Sequence, residues 1–256
     1  DGSVNLKNSI VFNSSTFLSN AFPASYHSEY SLIEDGDFGN VSPGPGNLSG
    51  NPLFMDAENG DFRLSPYSPA IGAGTLSGAP SMDIEGNPRP IPEGSNPDMG
   101  AFENSLSSPL PRPTLITVAN DGSAMFGDIQ GAIQFATNGD TVLVSPGTYY
   151  ENVEIIDKDI HLSSLYLIGN DTSYISSTII DGSQSVPPQS TVTLGSSTNQ
   201  AVNNVKLTGL TITGGNFENF DFSYGAGVRV KYLQSLECNS LVAIDNTSYY
   251  GGGLSM

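Results

Sequence analysis

The apolar positions of this chain fall in short runs, and Gly, Pro, Asn and Asp cut the runs apart. Residues 4–12 (VNLKNSIVF) alternate well enough for a strand pair or one coil edge, with Asn8 and Asn13 placed to form side-chain ladders at coil corners. Residues 165–168, 178–180, 191–194, 205–213, 228–230 and 241–244 are further short runs, several of them β-branched. Turn chemistry separates them, at 169–171 (GND), 181–183 (DGS) and 214–216 (GGN). This pattern predicts an all-β chain of many short strands.

One stretch departs from it. Within 114–153 (TLITVANDGSAMFGDIQGAIQFATNGDTVLVSPGTYYENV), Ile129, Ala132, Ile133 and Ala136 are spaced by three and four, which is one face of a helix. Asp128 suits its N-cap and Gly139 its C′ position, so one short α-helix is predicted near 128–137. The run 141–144 (TVLV) is continuously apolar and too short for a helix, as expected of a strand buried on both faces of a parallel sheet. A single short amphipathic helix ahead of many strands can cover the open end of a stack of coils. Tyr-Gly-Ala-Gly at 224–227 and Tyr-Gly-Gly-Gly at 250–253 lie 26 residues apart, each followed by an apolar residue, a period that suits a solenoid.

Composition narrows the class. Hydrophobic content is 37%, with 12 Phe and 11 Tyr, so 29 Gly and 17 Pro punctuate strands here rather than signal disorder. Eight basic against 26 acidic residues give a net charge of −18, which argues against nucleic acid as a partner, because phosphate binding needs a Lys/Arg footprint. The single Cys238 excludes an intrachain disulfide and a cysteine-cluster metal site. No apolar run approaches the ~18 residues of a membrane span. The chain opens on Asp1 and stops within a repeat-like GGGLSM, and so reads as a segment of a longer protein.

Residues 30–103 hold, in order, YSLIE, GNLSGNPLFMDAENGDFRLSPYSPAIGAG, DIEGNPRP and DMGAFE. This series resembles the closing region of secreted right-handed parallel β-helix proteins that carry a choice-of-anchor Q type C-terminal region. Gly72 departs from it, since the family more often has Asp there. Residues 36–50, rich in Gly, Pro and Asn, are expected as loop. Residues 105–113 (SLSSPLPRP) read as a semi-rigid spacer. Residues 114–215, through VANDGS, the 128–153 phrase and LTGLTITGG, resemble the N-terminal start of pectin-lyase-like β-helices, a group that includes pectin methylesterases and non-enzymatic surface solenoids. The Tyr-Gly-Gly-Gly phrase resembles repeats of bacterial surface β-helices. The expected organisation is therefore the C-terminal end of one parallel β-helix over 1–104, a linker over 105–113, and the cap and first coils of a second over 114–256.

The candidate chemistry is sparse. The phrase 147–151 (GTYYE) matches an early Gly-x-Tyr-x-Glu phrase that, in esterases of the resembled group, supports the site without supplying the nucleophile. Residues 200–202 (QAV) look like the start of a glutamine phrase but break off at Asn203. A lyase would need clustered carboxylates around Ca²⁺ and an Arg or Lys base. Arg229 and Lys231 share one facing on a predicted strand, with Asp221 and Asp245 as neighbours in adjacent coils, and a solvated outer face explains them as well. His161 reads as a surface residue, and His27 has no evident partner. Carboxylate-bearing turns at 34–37 (EDGD) and 56–61 (DAENGD) are the places where Ca²⁺ could be held, though turn formation alone accounts for them. No cofactor is otherwise expected. Sugar faces pack on aromatic rings, which makes Tyr149, Tyr150, Tyr249 and Tyr250 the candidate carbohydrate contacts. The expectation is a non-catalytic extracellular or cell-surface adhesion segment of bacterial type, with a polysaccharide or surface glycan as partner. The alternative is part of a pectin esterase or polysaccharide lyase whose catalytic coils lie beyond residue 256.

Overall fold

The computed structural model describes residues 3–12, 25–33, 41–57, 60–198, 203–216 and 225–255. The chain divides into two compact units, Asp1–Arg112 and Pro113–Met256. The described residues are predominantly β, with parallel sheets and three short helices.

In the first unit, Ser3–Lys7, Ser25–Glu29 and Val41–Pro43 form one parallel sheet, and Ile10–Val11, Leu32–Ile33 and Leu48–Ser49 form another. Phe54–Asp56 and Asp61–Leu64 make an antiparallel pair. The core is Leu32, Leu64, Ala70, Ile71 and Met99, with Ile10, Leu48, Phe54 and Leu106 packed on it. Residues 36–50 were expected as loop, yet two of these strands lie there. The reason is Asn47. Its Oδ1 accepts from Ser31 N at 3.0 Å and its Nδ2 donates to Ser28 O at 2.7 Å, so the side chain supplies ladder partners where the chain turns. Asn8 forms no asparagine ladder. It exchanges two 2.8 Å hydrogen bonds with the backbone of Thr75, and Asn13 lies outside the described residues. At Gly72, φ is +63° and a Cβ would come 2.3 Å from Ser107 O, so the departure from Asp fits a position that only glycine fills without strain. The Ser/Pro-rich stretch expected as a spacer lies against this unit as far as Leu110, whose N–H donates to Pro66 O at 2.8 Å.

The second unit consists of three parallel sheets that the chain visits in turn. The first holds Leu115–Val118, Thr141–Val144, His161–Ser164, Asn204–Thr208 and Ser235–Asn239. The second holds Gly147–Tyr149, Thr178–Asp181, Thr211–Thr213 and Val242–Ala243. The third holds Val153–Ile156, Val192–Gly195, Val228–Lys231 and Leu254–Ser255. Each circuit pairs with the previous one in register, so like positions stack. Val142, Leu162 and Leu207 form one buried column, Tyr149, Ile180 and Ile212 a second, and Val153, Val192 and Val228 a third. Val142, Leu143 and Val144 are all buried, so both faces of that strand are covered, whereas Val153–Ile156, Thr178–Asp181 and Val228–Lys231 bury alternate residues.

Two expected runs turn out differently. Residues 165–168 are not a strand. Tyr166–Gly169 and Ser173–Ser177 are short helices; Ser164 Oγ accepts from Tyr166 N, and Asn170 takes a left-handed conformation that ends the first of them. Leu167 and Ile168 are exposed, so no burial ties this segment to a sheet. Residues 205–213 split into two strands at Gly209, where φ is +65° and a Cβ would meet Ser164 Oγ at 2.6 Å.

The predicted helix is present as Ile129–Phe135, buried through Ile129, Ala132, Ile133 and Phe135. Asp128 caps it, accepting from Gly131 N at 2.6 Å. The helix ends at Ala136, so Gly139 is not its C′ residue. Gly139 sits in the following turn and donates to Asp159 O. Both helix ends are tied to the first circuit. Glu151 accepts from Ile129 N at 2.9 Å and Gln130 N at 2.8 Å, while Lys158 Nζ donates to the carbonyls of Ile133, Gln134 and Ala136 at 2.7–2.9 Å. A carboxylate at the N-terminus and an ammonium at the C-terminus complement the helix dipole. Gln130 also brackets Glu154, its Oε1 accepting from Glu154 N at 2.7 Å and its Nε2 donating to Glu154 O at 3.3 Å. Its amide does what the backbone of a neighbouring strand would do at the edge of the third sheet.

Two outcomes follow from this packing. A Cβ at Gly215 would lie 1.9 Å from Ala226 O, whereas one at Gly127 meets nothing within 4 Å. Gly215→Ala is therefore expected to destabilise the second unit by about 2–3 kcal/mol, and Gly127→Ala to be neutral within about 0.5 kcal/mol, in urea unfolding. Lys158→Met strips three carbonyls of a charged donor and is expected to cost about 1.5–3 kcal/mol, with faster amide hydrogen exchange concentrated in 129–136.

Candidate functional site

The corner between the second and third sheets is the face on which the exposed aromatic candidates collect. In the first circuit it is 150–152, in the second 182–191, in the third 214–227 (of which 217–224 lie outside the described residues), and in the fourth 244–253. Tyr149 does not belong to it. It is 3% exposed, at the head of the Tyr149–Ile180–Ile212 column, and its hydroxyl donates to Ser145 O at 3.0 Å. A ligand cannot reach that ring. Alternation then sends Tyr150 outward, 58% exposed. Tyr249 and Tyr250 are both exposed, their rings edge to face with centroids 4.6 Å apart.

The glycines of the repeated phrase are what allow this corner to stack. Gly227 N donates to Gly252 O at 2.8 Å and Val228 N to Gly253 O at 2.9 Å, so the two phrases lie directly on one another. A Cβ at Gly227 would stand 2.5 Å from Gly253 O. Asn246 fixes the turn before Tyr249: its Oδ1 accepts from Gly215 N at 3.0 Å and its Nδ2 donates to the carbonyls of Ile212 and Ile244. Residues 251–253 carry no side chains, and Tyr249 and Tyr250 just before them are exposed.

The Gly-x-Tyr-x-Glu phrase is used structurally at both of its named side chains. Tyr149 is core, and Glu151 holds the helix N-terminus. Burial pushes the Glu151 carboxyl above its usual range, against the lowering effect of the two N–H donors.

The remaining candidates are dispersed. Arg229 and Lys231 face outward on the third sheet, in register with Ser255 and Gly195. Asp245 is exposed at the fourth corner, and Asp221 and Gln200 lie outside the described residues. His161 is half-buried, its Nε2 2.9 Å from Thr208 Oγ1. Burial first, and Lys206 second, hold its pKa below the usual value, with Glu237 opposing. Lys206 pairs with Glu237 at 2.8 Å on the surface. His27 is exposed, between Asn5 and Ser42 in register. Of the two calcium candidates, 34–37 lies outside the described residues. In the other, Asp61 is bound by Arg63, whose hydrogen bond brings its pKa down to about 2. Among the described residues no group of three His, Cys, Asp or Glu side chains is arranged to hold a metal ion.

A buried polar cluster in the first unit escaped the sequence reading. Arg89 Nε lies 2.7 Å from Glu103 Oε1, with both side chains almost wholly buried. The N–H is not aligned for a hydrogen bond, so the attraction is one of charge. Arg89 also donates to Gly100 O at 3.0 Å. Glu103 accepts from Asp98 N and Ile91 N, and Asp83 from Glu85 N, Asn87 N and Glu103 N. Asp98, fully buried, accepts from Gly72 N at 2.7 Å and Asn104 N at 2.6 Å. The phrases DIEGNPRP and DMGAFE contain all four charged residues, but only their meeting in space shows that Glu103 pairs with the Arg89 guanidinium and that Asp98 lies within reach of its charge.

Burial outweighs the hydrogen bonds to Asp98 and raises its pKa from 3.8 to about 6. Between those values the folded chain holds a proton that the unfolded chain has lost. The stabilisation is therefore complete below about pH 4 and is lost as pH rises through about 6. It is bounded near 3 kcal/mol by the size of the shift. The melting temperature of wild type minus that of Asp98→Asn is expected to be larger at about pH 4.5 than at pH 7.5; equal differences would contradict it. No protein-family model matches this chain, and no curated protein is similar to it.

Proposed function

We propose that this chain is a stretch of a right-handed parallel β-helix protein of the bacterial cell surface, one that presents side chains to a glycan and performs no catalysis itself. The first unit is its closing region of one β-helix, and the second the cap and first coils of another. The reading of the second unit as a β-helix rests on the cyclic visiting of three parallel sheets in constant register. The observation that carries the functional reading is the use made of the GTYYE phrase. Tyr149 and Glu151 are committed to core and cap, and the ring between them, Tyr150, is turned to solvent, as are Tyr249 and Tyr250 on the same corner. Rings held by a rigid stacked backbone bind sugar faces with little ordering cost, because few rotors need to be frozen. The acidic charge and the single cysteine agree with an exported surface protein.

The test is direct. Incubation of the chain with methyl-esterified pectin and with polygalacturonate is expected to release no methanol and no unsaturated uronate. Titration against a panel of soluble polysaccharides is expected to give saturable binding that quenches tyrosine fluorescence. Product release from either polymer would overturn the non-catalytic reading.

A further inference from the structure

The charges around the aromatic corner say which glycan it suits. The described parts of this corner, 150–152, 182–191, 214–216, 225–227 and 244–253, contain no lysine or arginine, while Asp245 stands exposed on the fourth circuit. Elsewhere the chain's cations are largely engaged. Lys7, Arg63, Arg89 and Lys206 pair with carboxylates and Lys158 with helix carbonyls. Arg229 and Lys231 lie on the third sheet, past the corner. The net charge is −18. A polyuronate approaching this surface meets like charge, and the described parts of the corner itself carry no guanidinium or ammonium to receive its carboxylates. A polymer with apolar sugar faces and free amines meets the opposite: ring faces for stacking, ring quadrupoles and a carboxylate for the ammonium groups, and an attractive field at long range.

We infer that the corner carrying Tyr249 and Tyr250 binds a cationic amino-sugar polymer, of the kind made of glucosamine units with unacetylated nitrogen. This rests on the glycan-binding reading above and narrows it. The sugar faces lie against the exposed tyrosine rings, and the ammonium groups lie toward the ring faces and Asp245.

The experiment is calorimetric titration of the whole chain, at about 0.15 M salt to suppress bulk attraction. Three probes are used: a soluble glucosamine oligomer, its fully N-acetylated counterpart, and polygalacturonate. Wild type is expected to bind the glucosamine oligomer at least about tenfold more tightly than the acetylated one, with no heat from the uronate. Tyr249→Ala with Tyr250→Ala is expected to weaken that binding about tenfold, and Tyr249→Phe with Tyr250→Phe to keep it within about twofold, since the rings remain. Asp245→Asn is expected to weaken the cationic oligomer and leave the acetylated one unchanged. Undiminished binding by the double alanine variant would mean attraction by bulk charge and would overturn the inference. Equal or tighter binding of the acetylated oligomer or the uronate would overturn it too, while leaving the glycan-binding reading in place. Absence of binding to all three, together with the wider panel, would remove that reading and this inference with it.

Discussion

A parallel strand cannot satisfy its own backbone. In the second unit each circuit takes half of its ladder hydrogen bonds from the circuit before it and offers the other half to the one after. Everything else follows from that dependence. Register must be constant, so like side chains stack in columns. Close approach between corners must be allowed, so glycines occupy 225, 227 and 251–253. Within the second unit no full circuit precedes the first, and its three edges are covered in three ways. Leu115–Val118 adds a strand to the first sheet, Asn120 donates a side-chain amide to Thr148 O on the second, and the helix with Gln130 covers the third. At the opposite end the last strands are mostly exposed, and Cys238, which sits beneath Leu207 in the inward column, is open to solvent.

The first unit meets the same requirement by other means. Over 65–104 it has few ladders, and several of its N–H groups are satisfied by carboxylates. Asp83 receives three backbone donors, Asp98 two and Glu103 two. Such groups replace missing sheet partners, but they bring charge into the interior, and Arg89 balances only part of it. Burial of ionisable groups is tolerated here because each oxygen already has donors pointed at it.

How much of this could be read from residues alone varies with the range of the interaction. The cap helix, its Asp128 cap and most strands were legible, because periodicity and capping are local and leave a local trace. Residues 165–168 misled, since four apolar residues bounded by a turn fit a strand and an exposed helical turn equally well. Only the lack of a column partner decides between them. Asn47 and the strands beside it were hidden in a Gly/Pro-rich stretch, because what orders that stretch is a side chain bonding residues 16 and 19 positions earlier. At the candidate site, nothing local marks Tyr149 as core and Tyr150 as exposed; the stacking of Tyr149 on Ile180 and Ile212 does. Tyr249 and Tyr250 lie on a corner and are both exposed. The partners of Glu151 and Lys158 are separated by more than twenty residues, and no short motif announces them.

The circuits also differ in length. From one first-sheet strand to the next the chain advances 20 residues (141 to 161), then 43 (161 to 204), then 31 (204 to 235), while the strands themselves hardly change. The surplus is confined to corners, chiefly 165–177, 182–191 and 214–227. Inheritance therefore has two compartments here. Within a strand, one added residue would turn every column to the wrong face. Within a corner, ten can be added and the columns do not register the change. A lineage of such chains can exchange its outward surface loop by loop, at a rate set by its partners, while the stacked interior that carries the loops stays fixed.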